Sequence, residues 1–156
     1  MARVRESVEI EAPAERVWAV VHEDFKNAPK WSHNLKQAEV LTPGPTSEGT
    51  ILRYRLDTPG GEQVTEIEHL VYKPFKVCSG EIVKGPIKGT WKYSYAERKD
   101  LTRLTYQMDY EPNGFAARLF FAAVERQVPI DMRKTLESLK VYIESGKGPQ
   151  HSKAKP

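Results

Sequence analysis

The chain has 156 residues, of which 39% are hydrophobic and 29% are charged. These proportions are typical of one globular domain and exclude a disordered chain. The 24 basic and 21 acidic residues leave a formal charge of only +3, without a clustered basic stripe, so we expect no nucleic-acid partner. A single cysteine, Cys78, excludes an internal disulfide framework and a cysteine-rich metal site. No segment has the pattern of a signal peptide or a membrane span, so we expect a cytoplasmic protein without stable membrane insertion.

The N-terminal part of the chain is predicted to form a strand followed by two short helices. Val8 and Ile10 alternate with polar residues, which is the period of a strand with one buried face. Pro13 suits the first turn of a helix, and the valines that follow it recur at helical spacing. The second short helix should end near Trp31.

The segment from Leu35 to Tyr110 is predicted to add six strands, separated by turn signals such as Pro59-Gly60-Gly61 and Lys99-Asp100. Strands joined by short turns pair antiparallel, so the sequence predicts a seven-stranded antiparallel sheet. The six predicted strands are 36–41, 50–57, 63–72, 75–83, 87–98 and 102–110.

The last predicted hairpin carries the strongest functional signal, because aromatic residues occupy alternate positions on both strands. An even-length loop at Lys99-Asp100 would place both alternate sets on one face of the sheet, and a slip of one residue would expose one set. Buried tyrosines need hydrogen-bond partners, so a partly hydrated ligand cavity is favoured over a dry, filled core, which is the alternative. The aromatic and apolar set is Trp91, Tyr93 and Tyr95 facing Leu104, Tyr106, Met108 and Tyr110, extended by Leu52, Tyr54 and Leu56.

A long C-terminal helix is predicted over 115–143, with a kink near 125–128 because Pro129 removes a backbone hydrogen bond. Small residues in its first half would leave space above the sheet, so we expect the cavity beneath Phe115–Ala123, with Phe115, Leu119 and Phe120 as apolar wall. The buried stripe of the helix is predicted to be Val128, Met132, Leu136, Leu139 and Ile143. The domain would then span 1–144, and the tail 145–156, rich in Gly, Lys, Ser and Pro, is predicted to be disordered.

Polar candidates for chemistry are few in the sequence. His69 shares its strand face with apolar residues and should point inward, as a structural histidine rather than a catalytic one. His22 and His33 are predicted to lie on the surface, and solvent exposure is favoured over a pocket position for Arg118 and Arg126. The histidines lack metal-ligand spacing, and no carboxylate pair is positioned for acid/base work, so we expect no metal or cofactor.

The segment Val8-Glu9-Ile10-Glu11-Ala12-Pro13-Ala14-Glu15-Arg16-Val17-Trp18 resembles the START-like (SRPBCC) superfamily, specifically its polyketide cyclase/dehydrase and lipid-transport branch. Trp31 and Gly89-Thr90-Trp91 also fit, and the likeness extends from about Val4 to Ile143. It implies an α+β helix-grip fold, in which a curved antiparallel sheet wraps around a long C-terminal helix and encloses a hydrophobic cavity. Members include aromatic polyketide cyclases and lipid or hormone carriers, so the resemblance leaves enzyme and carrier open.

The preferred prediction is a protein that binds a hydrophobic small molecule, either a lipid, an isoprenoid or an aromatic metabolite. The first alternative is a polyketide cyclase/dehydrase-type enzyme with unknown catalytic residues, and the second is a domain whose groove receives a partner protein segment. A homodimer is kept as one option for the oligomeric state. The predicted ligand-binding residues are Tyr54, Trp91, Tyr93, Tyr95, Tyr106, Met108, Tyr110, Phe115, Leu119 and Phe120.

Overall fold

The computed structural model describes residues 1–58 and 60–155. Pro59, which belongs to one predicted turn, and Pro156 lie outside the described residues. The seven strands are β1 (Ala2–Ile10), β2 (Leu35–Val40), β3 (Ile51–Thr58), β4 (Gly61–Lys73), β5 (Val77–Lys84), β6 (Ile87–Arg98) and β7 (Leu101–Pro112). The helices are α1 (Ala14–His22), a 3₁₀ helix (Phe25–Lys30), α2 (Phe115–Leu119) and α3 (Phe121–Glu144).

The seven strands form one sheet in the order β1-β7-β6-β5-β4-β3-β2, and every neighbouring pair is antiparallel. Consecutive hairpins build six of the strands into a meander, and the N-terminal strand β1 then pairs with the last strand, β7. The predicted α+β architecture, with two short helices after the first strand, is confirmed.

The β6–β7 hairpin has the register that the aromatic alternation predicts. Trp91 lies opposite Met108, and Tyr93 lies opposite Tyr106. The loop residues Lys99 and Asp100 have φ values of 51° and 62°, the left-handed conformation that closes a two-residue hairpin with the twist of the strands. Both aromatic sets therefore lie on one face of the sheet.

The C-terminal helix is interrupted at Phe120, which has φ −111° and ψ 9° and separates α2 from α3. The single helix predicted over 115–143 is therefore divided in two. α3 continues as a helix through Pro129, and the kink at 125–128 stays a prediction. Proline removes only one helical hydrogen bond, and the apolar stripe that follows it holds α3 against the sheet. Four of the five predicted stripe residues are buried, namely Met132, Leu136, Leu139 and Ile143.

The main core lies where α3 crosses β1 and β7. Leu139 and Ile143 are fully buried together with Ile10 and Leu104 from the two strands. Burying side chains of this size stabilises the fold by roughly 1.5–3 kcal/mol each, so this contact fixes the helix over one side of the sheet.

A second core, centred on Trp18 of α1, lies against the strands on the other side. Trp18 is fully buried and its indole nitrogen donates a hydrogen bond to the Tyr72 hydroxyl at 3.2 Å. Its ring meets Tyr95 at a centroid distance of 5.3 Å. Between these two cores the concave face of the sheet is left partly unfilled.

The tail 145–156 is predicted from composition to be disordered, but the structure places Ser152 and Lys153 beside α1. The backbone nitrogen of Ser152 donates to Glu15 Oε1 at 3.1 Å, and that of Lys153 donates to Glu23 Oε1 at 3.0 Å. The two carboxylates, in α1 and directly after its last residue, accept the N–H groups of a segment that lacks regular structure, a contact that local composition does not encode.

Gly80 in β5 is a close-approach point of the sheet. It pairs with His69 on β4 and with Trp91 on β6, so the three residues form one row across the strands. A Cβ atom at Gly80 would overlap the backbone carbonyl oxygen of Glu68 and would lie 2.9 Å from the Trp91 ring. Because Gly80 has no side chain, the Trp91 ring can lie close to the backbone of the sheet at this position.

We expect Gly80→Ala to lower the free energy of unfolding by at least about 2 kcal/mol, because rigid backbone has to shift to admit the methyl group. The matched control is Gly60→Ala, where a Cβ atom meets nothing within 4 Å, and its effect should stay within about 0.5 kcal/mol. Urea unfolding followed by circular dichroism measures both, and equal stability of the two variants would contradict the close approach.

Candidate functional site

A cavity of about 220 Å³ lies between the concave face of the sheet and α3. The 3₁₀ helix and the residues just after it form a further part of the wall, and His33 contacts α3 there. Every strand from β3 to β7 contributes to the wall, because their inward positions all point to the same concave face.

Five of the predicted ligand-binding residues lie in the cavity wall: Tyr54, Trp91, Tyr93, Tyr106 and Met108. Tyr95 and Tyr110 share their face but lie outside the wall. Tyr95 is packed against Trp18, and Tyr110 is buried beside Val4 and Met132. The inward set predicted from alternation is thus divided between the cavity and the core next to it.

Phe115, Leu119 and Phe120 do not reach the cavity, which corrects their predicted role. Their relative exposures are 78%, 66% and 69%. α2 follows Gly114 directly after the end of β7, and the break at Phe120 separates it from the part of the helix that crosses the sheet. The predicted position of the cavity, under the first half of the helix, is therefore wrong.

The helical wall of the cavity comes from the middle of α3. Val128, Asp131, Met132 and Thr135 face the strands there. Met132 belongs to the predicted apolar stripe, whereas Asp131 and Thr135 lie beside it at helical spacing and were missed. A stripe defined only by apolar residues leaves out polar neighbours that face the same space.

Tyr93 and Tyr106 stack in the cavity wall, with ring centroids 4.1 Å apart and an interplanar angle of 7°. Burial raises the pKa of both phenols above the ordinary value, as it does for Tyr54. All three hydroxyls therefore stay protonated around neutral pH and can donate or accept hydrogen bonds.

His22 also lines the cavity, although the sequence predicted it to lie on the surface. Its relative exposure is 2%, and its ring lies 4.5 Å from Trp18 and 5.1 Å from Tyr93 between centroids. The four-residue spacing from Trp18 to His22 places both on one face of α1, which is the signal that could have located it. Burial, and then the nearby imidazole of His69, lower the pKa of His22 well below its ordinary value.

His69 faces inward as predicted, with a relative exposure of 1%, and lines the cavity. Burial lowers its pKa to about 4, against a smaller opposite effect of a hydrogen bond to the Ser47 backbone carbonyl. Both cavity histidines are thus neutral at pH 7. A neutral imidazole offers one donor and one acceptor nitrogen, so each can act as either partner toward a ligand.

One edge of the cavity is polar and partly open to solvent. Asp131 Oδ1 lies 3.4 Å from His33 Nε2, and Thr135 Oγ1 accepts a hydrogen bond from the His33 backbone nitrogen at 2.9 Å. Arg118 and Arg126 are absent from the wall, which agrees with their predicted exposure. Asp131 is the one carboxylate that faces the cavity among residues 1–58 and 60–155.

In the part of the chain that the structure describes, no three His, Cys, Asp or Glu side chains gather in the manner of a metal site. Within the same residues, no helix is both long enough and apolar enough to span a membrane.

A curved antiparallel sheet, a C-terminal helix packed across it and an aromatic cavity between them define the helix-grip class of ligand-cavity domains. Residues 1–144 match the family described as "Polyketide cyclase / dehydrase and lipid transport". The chain belongs to this family, as its N-terminal segment and hairpin residues indicated. No curated protein sequence matches the chain significantly.

Solved structures from bacteria and plants share the fold. A START superfamily protein from Mycobacterium smegmatis is 19% identical, with a TM-score of 0.73 over 92% of this chain and 97% of that one. The Zhui aromatase/cyclase from a Streptomyces species is 18% identical, with a TM-score of 0.71 over 94% and 99%. Major latex-like protein 151 from Panax ginseng is 12% identical, with a TM-score of 0.69 over 95% and 98%. At these identities the likeness shows the fold alone.

We expect the free energy of unfolding to fall as the pH decreases from about 6.5 to about 4. In this window the unfolded chain binds a proton at His69 while the folded protein excludes it, so protonation favours unfolding. The stabilisation that comes from keeping His69 neutral is fully present above pH 6.5. For His69 alone, about 3 kcal/mol of it is lost by the time the pH has fallen to 4. His22 acts in the same direction.

Urea unfolding of the wild type and of His69→Phe at several pH values measures this effect. The variant should lose a substantial part of the pH dependence, whereas His151→Phe, which removes an exposed imidazole, should keep it. The same slope in His69→Phe and the wild type would contradict the neutral, buried state of His69.

Proposed function

We propose that the protein binds a small, ring-containing hydrophobic molecule in the cavity between the sheet and α3. The observation that supports this most directly is the cavity wall of aromatic and aliphatic side chains, including the Tyr93–Tyr106 stack. Apolar burial drives such binding, and a few polar groups orient the ligand. Membership of a family that includes lipid transport in its description is consistent with this function.

The volume of the cavity favours one ligand class over another. About 220 Å³ is below the roughly 300–1,000 Å³ of common ligand pockets, so two fused rings fit and a lipid with two acyl chains does not. Flat aromatic walls also favour ring stacking over long flexible chains. An aromatic metabolite or a compact isoprenoid is therefore preferred over a membrane lipid. The cytoplasmic location and a homodimer stay predictions from the sequence.

Filling the cavity should weaken binding without disturbing the rest of the fold. Val128 lines the cavity from α3, whereas Val141 on the same helix is 68% exposed. We expect Val128→Trp to weaken the binding of 2-naphthol at least about tenfold, because the indole occupies the ligand volume, which costs 1.4 kcal/mol or more.

Val141→Trp is the matched control and should bind 2-naphthol as the wild type does. Isothermal titration calorimetry gives the dissociation constants. Unchanged affinity in Val128→Trp, or the absence of binding by the wild type, would overturn the proposed site.

The second candidate function is that of a polyketide cyclase/dehydrase-type enzyme, and the two neutral cavity histidines favour it. An unprotonated imidazole can remove a proton next to a carbonyl, while a protonated tyrosine such as Tyr106 donates a hydrogen bond to the carbonyl oxygen. The pKa argues against this role, since a general base works best near the operating pH. A value of about 4 for His69 makes it a weak base, so binding is preferred.

The compound 3-hydroxy-1-tetralone separates the two candidates. Removal of a proton at C2, followed by loss of the C3 hydroxyl as water, gives 1-naphthol after tautomerisation, with no other reactant. We expect the protein to leave the buffer rate unchanged, as followed by the appearance of naphthol fluorescence. An acceleration of about 100-fold or more that is lost in His22→Phe and His69→Phe would establish the enzyme instead.

A further inference from the structure

Four buried side chains of the cavity wall carry a polar atom without a hydrogen-bond partner among residues 1–58 and 60–155. These atoms are His22 Nε2, His69 Nδ1, Trp31 Nε1 and Trp91 Nε1. Buried polar groups in folded proteins are almost always paired. Orphaned groups on residues that line a cavity therefore indicate what its occupant supplies.

The orphaned ring nitrogen of His69 is Nδ1. A neutral imidazole has one N–H donor and one acceptor nitrogen, so a group that can both donate and accept pairs with Nδ1 in either tautomer. A hydroxyl is such a group.

Trp91, at an adjacent position, requires an acceptor. Its indole Nε1–H is a donor only, and it lacks an acceptor within the described chain. The His69 and Trp91 rings lie 5.2 Å apart between centroids, and both are more than nine-tenths buried. They meet across Gly80, which has no side chain to separate them.

We propose that His69 and Trp91 form a hydroxyl-binding subsite, so that the ligand of the cavity is a ring-bearing alcohol or phenol. The ligand O–H donates to His69 Nδ1, and its oxygen accepts from Trp91 Nε1–H. This proposal rests on the proposed binding function and adds the chemical class of the ligand. His22, on the facing helix, offers a further polar contact for a second oxygen.

Other oxygen groups satisfy this pair less well. A ketone accepts from Trp91 but leaves His69 Nδ1 without a donor in the tautomer whose proton is on Nε2. A carboxylate brings a charge into a wall whose described residues include no Lys or Arg and one carboxylate, Asp131, and burying an unpaired charge is costly. A hydroxyl is neutral and supplies both the donor and the acceptor.

The test compares 2-naphthol with 2-methylnaphthalene, which has nearly the same shape but no hydroxyl. The wild type should bind 2-naphthol at least about tenfold more tightly, because a site built for a hydroxyl rejects the analogue that leaves its polar groups unpaired. NMR titration gives both dissociation constants. The Trp91 indole N–H signal should move downfield with 2-naphthol and not with the methyl analogue.

His69→Phe and Trp91→Phe should each reduce this preference to about threefold or less, while 2-methylnaphthalene still binds. Both variants replace an orphaned polar ring with an apolar ring, which buried sites tolerate, and Trp91→Phe tests the pair independently of His69→Phe. His151→Phe, in the tail, should retain the full preference.

Equal affinity of the wild type for the two compounds would overturn the hydroxyl subsite and leave the proposed binding function intact. Retention of the preference in both Phe variants would likewise overturn the subsite. Failure of the wild type to bind either compound would overturn the binding function and the subsite together.

Discussion

The packing of α3 across β1 and β7 is the contact on which the rest of the structure depends. It buries Leu139 and Ile143 completely against Ile10 and Leu104, at one side of a sheet that is seven strands wide. One helix cannot cover the concave face of such a sheet. The other side is occupied by α1 and the 3₁₀ helix, with Trp18 as its centre. The space left between these two cores is the cavity, so the cavity follows from the same packing that stabilises the fold.

Packing alone could leave such a cavity, and its polar groups are the feature that supports a binding role. An apolar gap can remain empty at a cost in stability, but orphaned imidazole and indole nitrogens are an additional cost that simple packing would avoid. His22 and His69 are also held neutral by burial. Aromatic walls with a few unpaired, uncharged polar atoms are complementary to a neutral, oxygenated ring compound. The same features disfavour an ionic ligand.

Much of this fold follows from local sequence patterns, and the errors occur where those patterns end. The register of β6 and β7 was predictable, because Trp91, Tyr93 and the residues opposite them alternate strictly. The break at Phe120 was not, because Pro129 is the stronger local signal of an irregularity. The small residues in the first half of the helix suggest open space above the sheet, but Phe115–Leu119 forms the separate, exposed α2, so the predicted cavity position was wrong. His22 was missed because its place beside the second short helix suggests the surface, whereas its spacing from Trp18 places it inward.

The same cavity side chains could serve a carrier or an enzyme. Their protonation equilibria therefore distinguish the two functions better than their identities do. A buried neutral histidine is a good hydrogen-bond acceptor and, with its pKa lowered to about 4, a poor base. Catalysis would require a feature that raises this pKa, such as a carboxylate beside the ring. The carboxylate in the described wall, Asp131, lies within 3.4 Å of His33 instead, on the edge of the cavity. The environment of His69 therefore suits it to recognise a hydroxyl rather than to remove a proton.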